Sequence, residues 1–194
     1  MRFTFSSSNG LATQIEQGAP VDVFASAAPK WLDAVATDPG VIARATFGRN
    51  RLVVIVPRDD PARIVRLADL ARRGVKLVLA APGVPAGDYA RQVLAKAGMR
   101  GAFRNVVSNE QDVEGVVAKV TSGDADAGIV YATDLTTSVS SRVRAIEIPS
   151  AANVVAVYQI GIVRSTKAET AARAFFDYVL GPGQATLRAA GFEG

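Results

Sequence analysis

The chain has 194 residues, 49% of them hydrophobic and 21% charged, with a formal net charge of +4 and neither cysteine nor histidine. This is the composition of a globular chain able to bury a sizeable core, as one domain or two small lobes. It excludes disulfides, thiolate metal sites and cysteine nucleophiles, and it removes the commonest metal ligand and general base.

Strand-like and helix-like runs alternate along the chain, which predicts an α/β fold with largely parallel sheets. An alternating run at 2–5 predicts a strand, followed by Ser6-Ser7-Ser8-Asn9-Gly10 and a helix over 11–17. Hydroxyls and unpaired N–H groups would there meet the positive end of a helix dipole, the chemistry of holding an anion without a cation. Serine and asparagine are also ordinary N-cap residues, so a plain cap is the competing reading. A strand at 21–25 and a helix at 30–37 follow, with Trp31, Leu32 and Val35 as an apolar core group.

The segment 51–57 is a nearly continuous apolar strand, and 155–163 is a second one. Such a pair suits two crossings between lobes. The expected first lobe is therefore 1–50 plus 164–194, and the second is 51–163, crossing strands included. Between the crossings come strands at 76–80, 105–107, 127–131 and 143–147, and helices at 67–72, 87–97 and 112–122. A helix over 167–180 with an apolar stripe of Ala171, Ala174, Phe175, Tyr178 and Val179, then a short one over 183–189, close the chain.

Three further strand-to-helix turns repeat the neutral-donor theme. In Pro82-Gly83-Val84-Pro85-Ala86-Gly87-Asp88 the small Ala86 and Gly87 let backbone N–H groups approach a ligand, or simply form a βα loop. In Ser108-Asn109-Glu110-Gln111-Asp112-Val113 the aspartate is placed to cap, with the Val113 N–H just inside. The run 128–134 ends its strand in Tyr131, a neutral phenol donor at a strand's carboxyl end or else a half-buried core tyrosine. Together the four turns fit an oxyanion held by hydrogen bonds and helix dipoles. The basic residues stand singly or in pairs among Asp and Glu, which argues against nucleic acid as a partner.

At these residues the sequence resembles the extracytoplasmic molybdate-binding proteins of ABC transporters. The stretches that carry the resemblance are F-S-S-S-N-G-L-A-T-Q-I-E-Q-G-A-P-V-D-V-F-A-S-A (5–27), K-W-L-D (30–33), G-R-N-R-L-V-V-I-V-P (48–57) and P-G-V-P-A-G-D-Y-A-R (82–91). D-V-E-G-V-V-A-K-V (112–120), G-D-A-D-A-G-I-V-Y-A-T-D (123–134) and F-F-D-Y-V-L-G-P-G-Q-A-T-L-R-A-A-G-F (175–192) complete it. The resemblance implies a two-lobed type II periplasmic-binding-protein fold and a molybdate or tungstate ion between the lobes. By position, Ser8 would give hydroxyl and amide donors, Ala86 and Val113 backbone amides, and Tyr131 its phenol, with Ser7 a lesser candidate. The metal is met only as its oxyanion, there is no cofactor, and no chemistry is done on the ligand.

The partner implied is a membrane ABC permease, and the location periplasmic or extracytoplasmic, although no signal peptide is visible at Met1-Arg2. The family also begins with a strand, a serine-bearing turn and a helix that have no counterpart before Met1. The chain by itself is therefore expected to bind weakly, as a monomer or associated through an exposed sheet edge. Two alternatives remain: the effector domain of a transcriptional regulator, or a binder of another tetrahedral oxyanion such as sulfate.

Overall fold

The computed structural model describes residues 1–194. In chain order the elements are α1 (Ser8–Glu16), β1 (Val23–Ser26), α2 (Pro29–Val35), β2 (Val41–Asn50), β3 (Leu52–Pro57), β4 (Leu77–Ala80), α3 (Pro85–Lys96), β5 (Val106–Glu110) and α4 (Val113–Thr121). They continue with β6 (Ala127–Tyr131), α5 (Thr137–Ser140), β7 (Val143–Glu147), β8 (Ala156–Val163), α6 (Glu169–Leu180) and α7 (Gln184–Ala189). No helix is long and apolar enough to cross a membrane.

The chain divides into two compact units, Met1–Asn50 with Ala156–Gly194, and Arg51–Val155. In the first unit β8 is the middle of a three-stranded sheet, ordered β1-β8-β2 and antiparallel throughout. The sequence places 156–163 in the second lobe. The structure instead puts β8 in the first unit, because both its edges are taken by β1 and β2. Ala12 and Ile15 of α1, Leu32 and Val35 of α2, Phe24 and Val163 form this unit's core, with Trp31 partly buried against it. A Cβ on Gly161 of β8 would lie 2.9 Å from Leu32 Cδ1, so glycine is what lets α2 sit this close to the sheet.

The run 2–5 forms no strand: nothing pairs with it, and Phe3 and Phe5 stay exposed, their rings stacked with centroids 6.1 Å apart. Phe3 also tilts against Phe175 of α6. The stripe expected on that helix is misplaced around its circumference, since its one fully buried residue is Ala172, while Ala171, Ala174 and Tyr178 are exposed.

The second unit is a five-stranded sheet ordered β5-β4-β6-β3-β7. Every residue of β3, β4 and β6 is buried, which is why these strands read as unbroken apolar runs rather than alternating ones. Parallel pairing is confined to β4 with β5 and β6; β3 runs antiparallel to both β6 and β7. Parallel neighbours need a long crossover, and α3 and α4 supply the two present. Right-handed crossovers leading from β4 outward to β5, then back past β4 to β6, lay α3 and α4 on opposite faces of the sheet. The carboxyl ends of β5, β4 and β6 therefore open where the helix connections diverge, the place at which open α/β sheets bind ligands.

Candidate functional site

Three of the residues singled out in the sequence, Ala86, Val113 and Tyr131, stand at the carboxyl ends of β4, β5 and β6. Strand β4 ends at Ala80, and the chain turns through Gly83, at φ +92°, into α3. Asp88 Oδ1 accepts the Gly83 N–H at 2.9 Å and steadies the turn. Pro85 opens the helix with φ preset and no N–H to satisfy. Ala86 comes next, buried, then Gly87.

A Cβ built on Gly87 would lie 2.3 Å from the carbonyl oxygens of both Ala80 and Ala81, so α3 starts pressed against the backbone at the end of β4. Glycine is obligatory there for steric reasons, at an ordinary backbone conformation. From Asp88 onward the N–H groups find backbone acceptors, beginning with Asp88 N–H to Val84 C=O at 2.9 Å. Those of Ala86 and Gly87 precede the first intrahelical bond and have no acceptor within the helix.

After β5 ends at Glu110 the chain reaches Asp112, whose Oδ1 accepts the Gly115 N–H at 2.8 Å. This is the cap expected from the sequence. It consumes the third donor of α4 and leaves those of Val113 and Glu114 without a helical acceptor. Strand β6 ends at Tyr131, buried at 4% exposure, and its N–H is accepted by Asp134 Oδ2 at 2.9 Å. Burial pushes the Asp134 carboxyl up to about 6, the bond from Tyr131 N–H opposing the shift and nearby Glu114 adding to it.

Ser7 and Ser8 belong to the first unit, at the start of α1. Ser7 holds the N-cap position, yet its hydroxyl makes no cap hydrogen bond; its backbone carbonyl accepts the Leu11 N–H. Ser8 is buried, and its Oγ accepts the Ala27 N–H at 3.0 Å, tying the helix start to the turn after β1. In that turn Ser26 Oγ accepts the Ala28 N–H and donates to the Ala28 carbonyl. The capping reading of the serine run thus fails for both hydroxyls. Having accepted one bond, the Ser8 hydroxyl keeps its proton to donate. Asn9, the next residue, has its side-chain oxygen buried with no hydrogen-bond partner.

Besides Gly87, three residues that the sequence does not single out shape these turns: Arg91, Asn109 and Asp134. Arg91 Nη1 donates to Ala80 C=O at 2.7 Å and to Gly87 C=O at 2.9 Å, while Nη2 donates to Asn109 Oδ1 at 2.5 Å. Desolvation lowers the pKa of this guanidinium, and Asp88 works in the other direction. The aspartate three residues beyond Tyr131 has the spacing of a local side-chain to backbone bond.

In chemical terms the carboxyl edge offers two helix N-termini, whose dipoles favour negative charge, and a phenol. None of Ser7, Ser8, Ala86, Val113 and Tyr131 carries a charge, and no three or more of Asp and Glu gather in a way that could hold a metal ion. Such a donor set suits an oxyanion.

Comparison with known proteins agrees with this chemistry. The family model described as bacterial extracellular solute-binding protein matches residues 1–193. The molybdate-binding protein ModA of Mycobacterium tuberculosis is 39% identical over 177 residues, 90% of this chain and 66% of its own length. The chain thus spans just under two thirds of that relative. The Escherichia coli protein of the same name is 34% identical over 193 residues, 95% of this chain and 74% of its own. Among solved structures, the periplasmic molybdate-binding protein of Azotobacter vinelandii superposes with a TM-score of 0.83 at 26% identity, covering 97% of this chain and 85% of that one.

Proposed function

This chain belongs to the bacterial extracellular solute-binding proteins, and we propose that within that family it binds molybdate or tungstate and delivers the ion to the membrane permease of an ABC transporter. The observation that carries the reading is the convergence of the first turns of α3 and α4 and of Tyr131 at one carboxyl edge, with no charged side chain among the donors. Ala86 and Val113 give backbone amides to the oxyanion and Tyr131 its hydroxyl. Ser8, with Ser7 as the lesser contributor, gives donors from the first unit.

Hydrogen bonds to a charged group contribute about 1.5–3 kcal/mol each. About half a dozen such donors are of the order needed to offset much of the cost of taking a dianion out of water. Their neutrality also confers selectivity. A lysine would follow any anion and adapt its reach, whereas amides fixed by helix starts recognise one radius and a fully deprotonated oxyanion. Molybdate and tungstate share that radius and charge, while sulfate is smaller and sits loosely. The reading places the protein outside the cytoplasm, in line with its family, and includes no turnover of the ligand.

A thermal-shift series with molybdate, tungstate, sulfate and phosphate tests it, because a ligand of the native state raises the melting temperature according to its affinity. Stabilisation by molybdate and tungstate at concentrations where sulfate and phosphate have little effect is the expected result. Equal shifts from all four, or none, would contradict the reading.

A further inference from the structure

Strands β4 and β5 are paired up to Ala80 opposite Glu110, and the Ala81 N–H still donates to the Glu110 carbonyl at 2.8 Å. At this last paired stretch, one side chain adds a tie between the start of α3 and β5. Arg91 reaches back from the second turn of α3, and one nitrogen of its guanidinium takes the carbonyls of Ala80 and Gly87 together. Its other terminal nitrogen crosses to the side chain of Asn109 on β5, three residues before the Asp112 cap of α4.

The first pair of bonds has an electrostatic purpose beside the mechanical one. The Ala80 carbonyl lies against the start of α3, so close that Gly87 has no room for a Cβ. Left unpaired, it would set a negative dipole beside amides that are to receive a dianion. Bonded to a guanidinium, it is neutralised. The bond to Asn109 then couples the turn carrying Ala86 to the strand end carrying Val113.

We propose that Arg91 is a positioning residue for the oxyanion: its forked guanidinium sets the spacing between the Ala86 and Val113 donors, and with it the radius of ion the site accepts. The inference rests on the oxyanion reading above. Arginine is required because three acceptors in two directions need a planar fork; a lysine ammonium keeps the charge and loses the fixed geometry.

The test is calorimetric titration of Arg91→Lys, Asn109→Ala and the double variant with molybdate and with sulfate. Asn109 is exposed, so removing its side chain leaves the core intact. Each single variant is expected to weaken molybdate binding by about tenfold, in the range of coupling within a shared hydrogen-bond network. The double variant should bind no more weakly than Arg91→Lys alone, because both changes break the same tie. The ratio of molybdate to sulfate affinity should fall in all three. A role confined to stability would instead lower the melting temperature and the fraction of competent protein while leaving that ratio unchanged.

If the unaltered chain binds molybdate and the Asn109→Ala and Arg91→Lys proteins keep its affinity and its ratio, the inference is overturned alone. If the unaltered chain fails to bind molybdate, the oxyanion reading falls and takes the inference with it.

Discussion

Replacing Gly87 by alanine disturbs the donor turn of α3 at one defined point. The added Cβ would stand 2.3 Å from two carbonyl oxygens, Ala80 and Ala81, both of them backbone. Carbon and carbonyl oxygen rarely approach closer than about 3.3 Å, so the first turn of α3 must retreat by roughly 1 Å. A donor bond at the usual ~2.9 Å then stretches beyond the ~3.5 Å at which it ceases to count.

Losing one such bond to a charged ligand, at about 1.5–3 kcal/mol, weakens affinity by roughly 10- to 150-fold. The two bonds from Arg91 to Ala80 and Gly87 stretch with it. Stability falls as well. Overpacking costs about 1–3 kcal/mol, and the better helix propensity of alanine returns up to about 1 kcal/mol. The melting temperature should drop by up to roughly 10 °C, at about 2–4 °C per kcal/mol for a chain of this size. Calorimetric titration with molybdate beside differential scanning calorimetry gives both quantities. A Gly87→Ala protein that binds within about twofold of the parent would mean that the start of α3 supplies no donors.

Ser8→Ala should weaken molybdate binding by at least about tenfold and lower stability by about 1–3 kcal/mol, because the Ala27 N–H loses its acceptor; titration and denaturant unfolding read the two effects. Asp112→Ala removes the cap of α4 and should cost about 0.5–2 kcal/mol, seen as a lower denaturation midpoint, with weaker ligand binding through Val113. Asp134 has its pKa raised to about 6 from 3.8, so between those values the native state holds a proton that the unfolded state has released. Its contribution therefore makes stability fall as pH rises from about 4 to about 6 and level off above, with a ceiling of roughly 3 kcal/mol. Asp134→Asn keeps an acceptor for the Tyr131 N–H and loses the titration. Unfolding the two proteins across pH 4–8 should show the variant gaining on the parent through that window, and a difference independent of pH would contradict the assignment.

What could be read from the chain follows how local each signal is. Strands β3 and β6 declared themselves as unbroken apolar runs because the sheet buries both their faces. Strand β2 went unread: its pairing with β8 shifts register between Val41 and Ala43 and again between Thr46 and Gly48, which breaks the alternation by which a half-exposed strand is recognised. Which lobe owned β8, and which neighbours ran antiparallel, depended on partners far away in sequence, and no residue pattern encodes that choice. The run 2–5 had a strand's alternation and lacked a partner.

The candidate site divides in the same way. The Asp112 cap is a contact over three residues and was legible; the bond from Ala27 to Ser8 spans 19 residues, so a serine that looked like a cap had its hydroxyl committed elsewhere. The steric demand at Gly87 comes from a strand end six and seven residues upstream, and the Arg91 tie to Asn109 spans 18. Helix starts can be read from the chain; the contacts that aim them must be seen in the fold.

A crystal structure of the chain grown with tungstate would locate the bound oxyanion outright, since the heavy ion marks its own position. One tungstate is expected, with its oxygens about 2.7–3.1 Å from the amides of Ala86 and Val113, the Tyr131 hydroxyl and the Ser8 hydroxyl. A fully occupied ion coordinated by lysine or arginine side chains instead, away from the carboxyl ends of β4, β5 and β6, would contradict it.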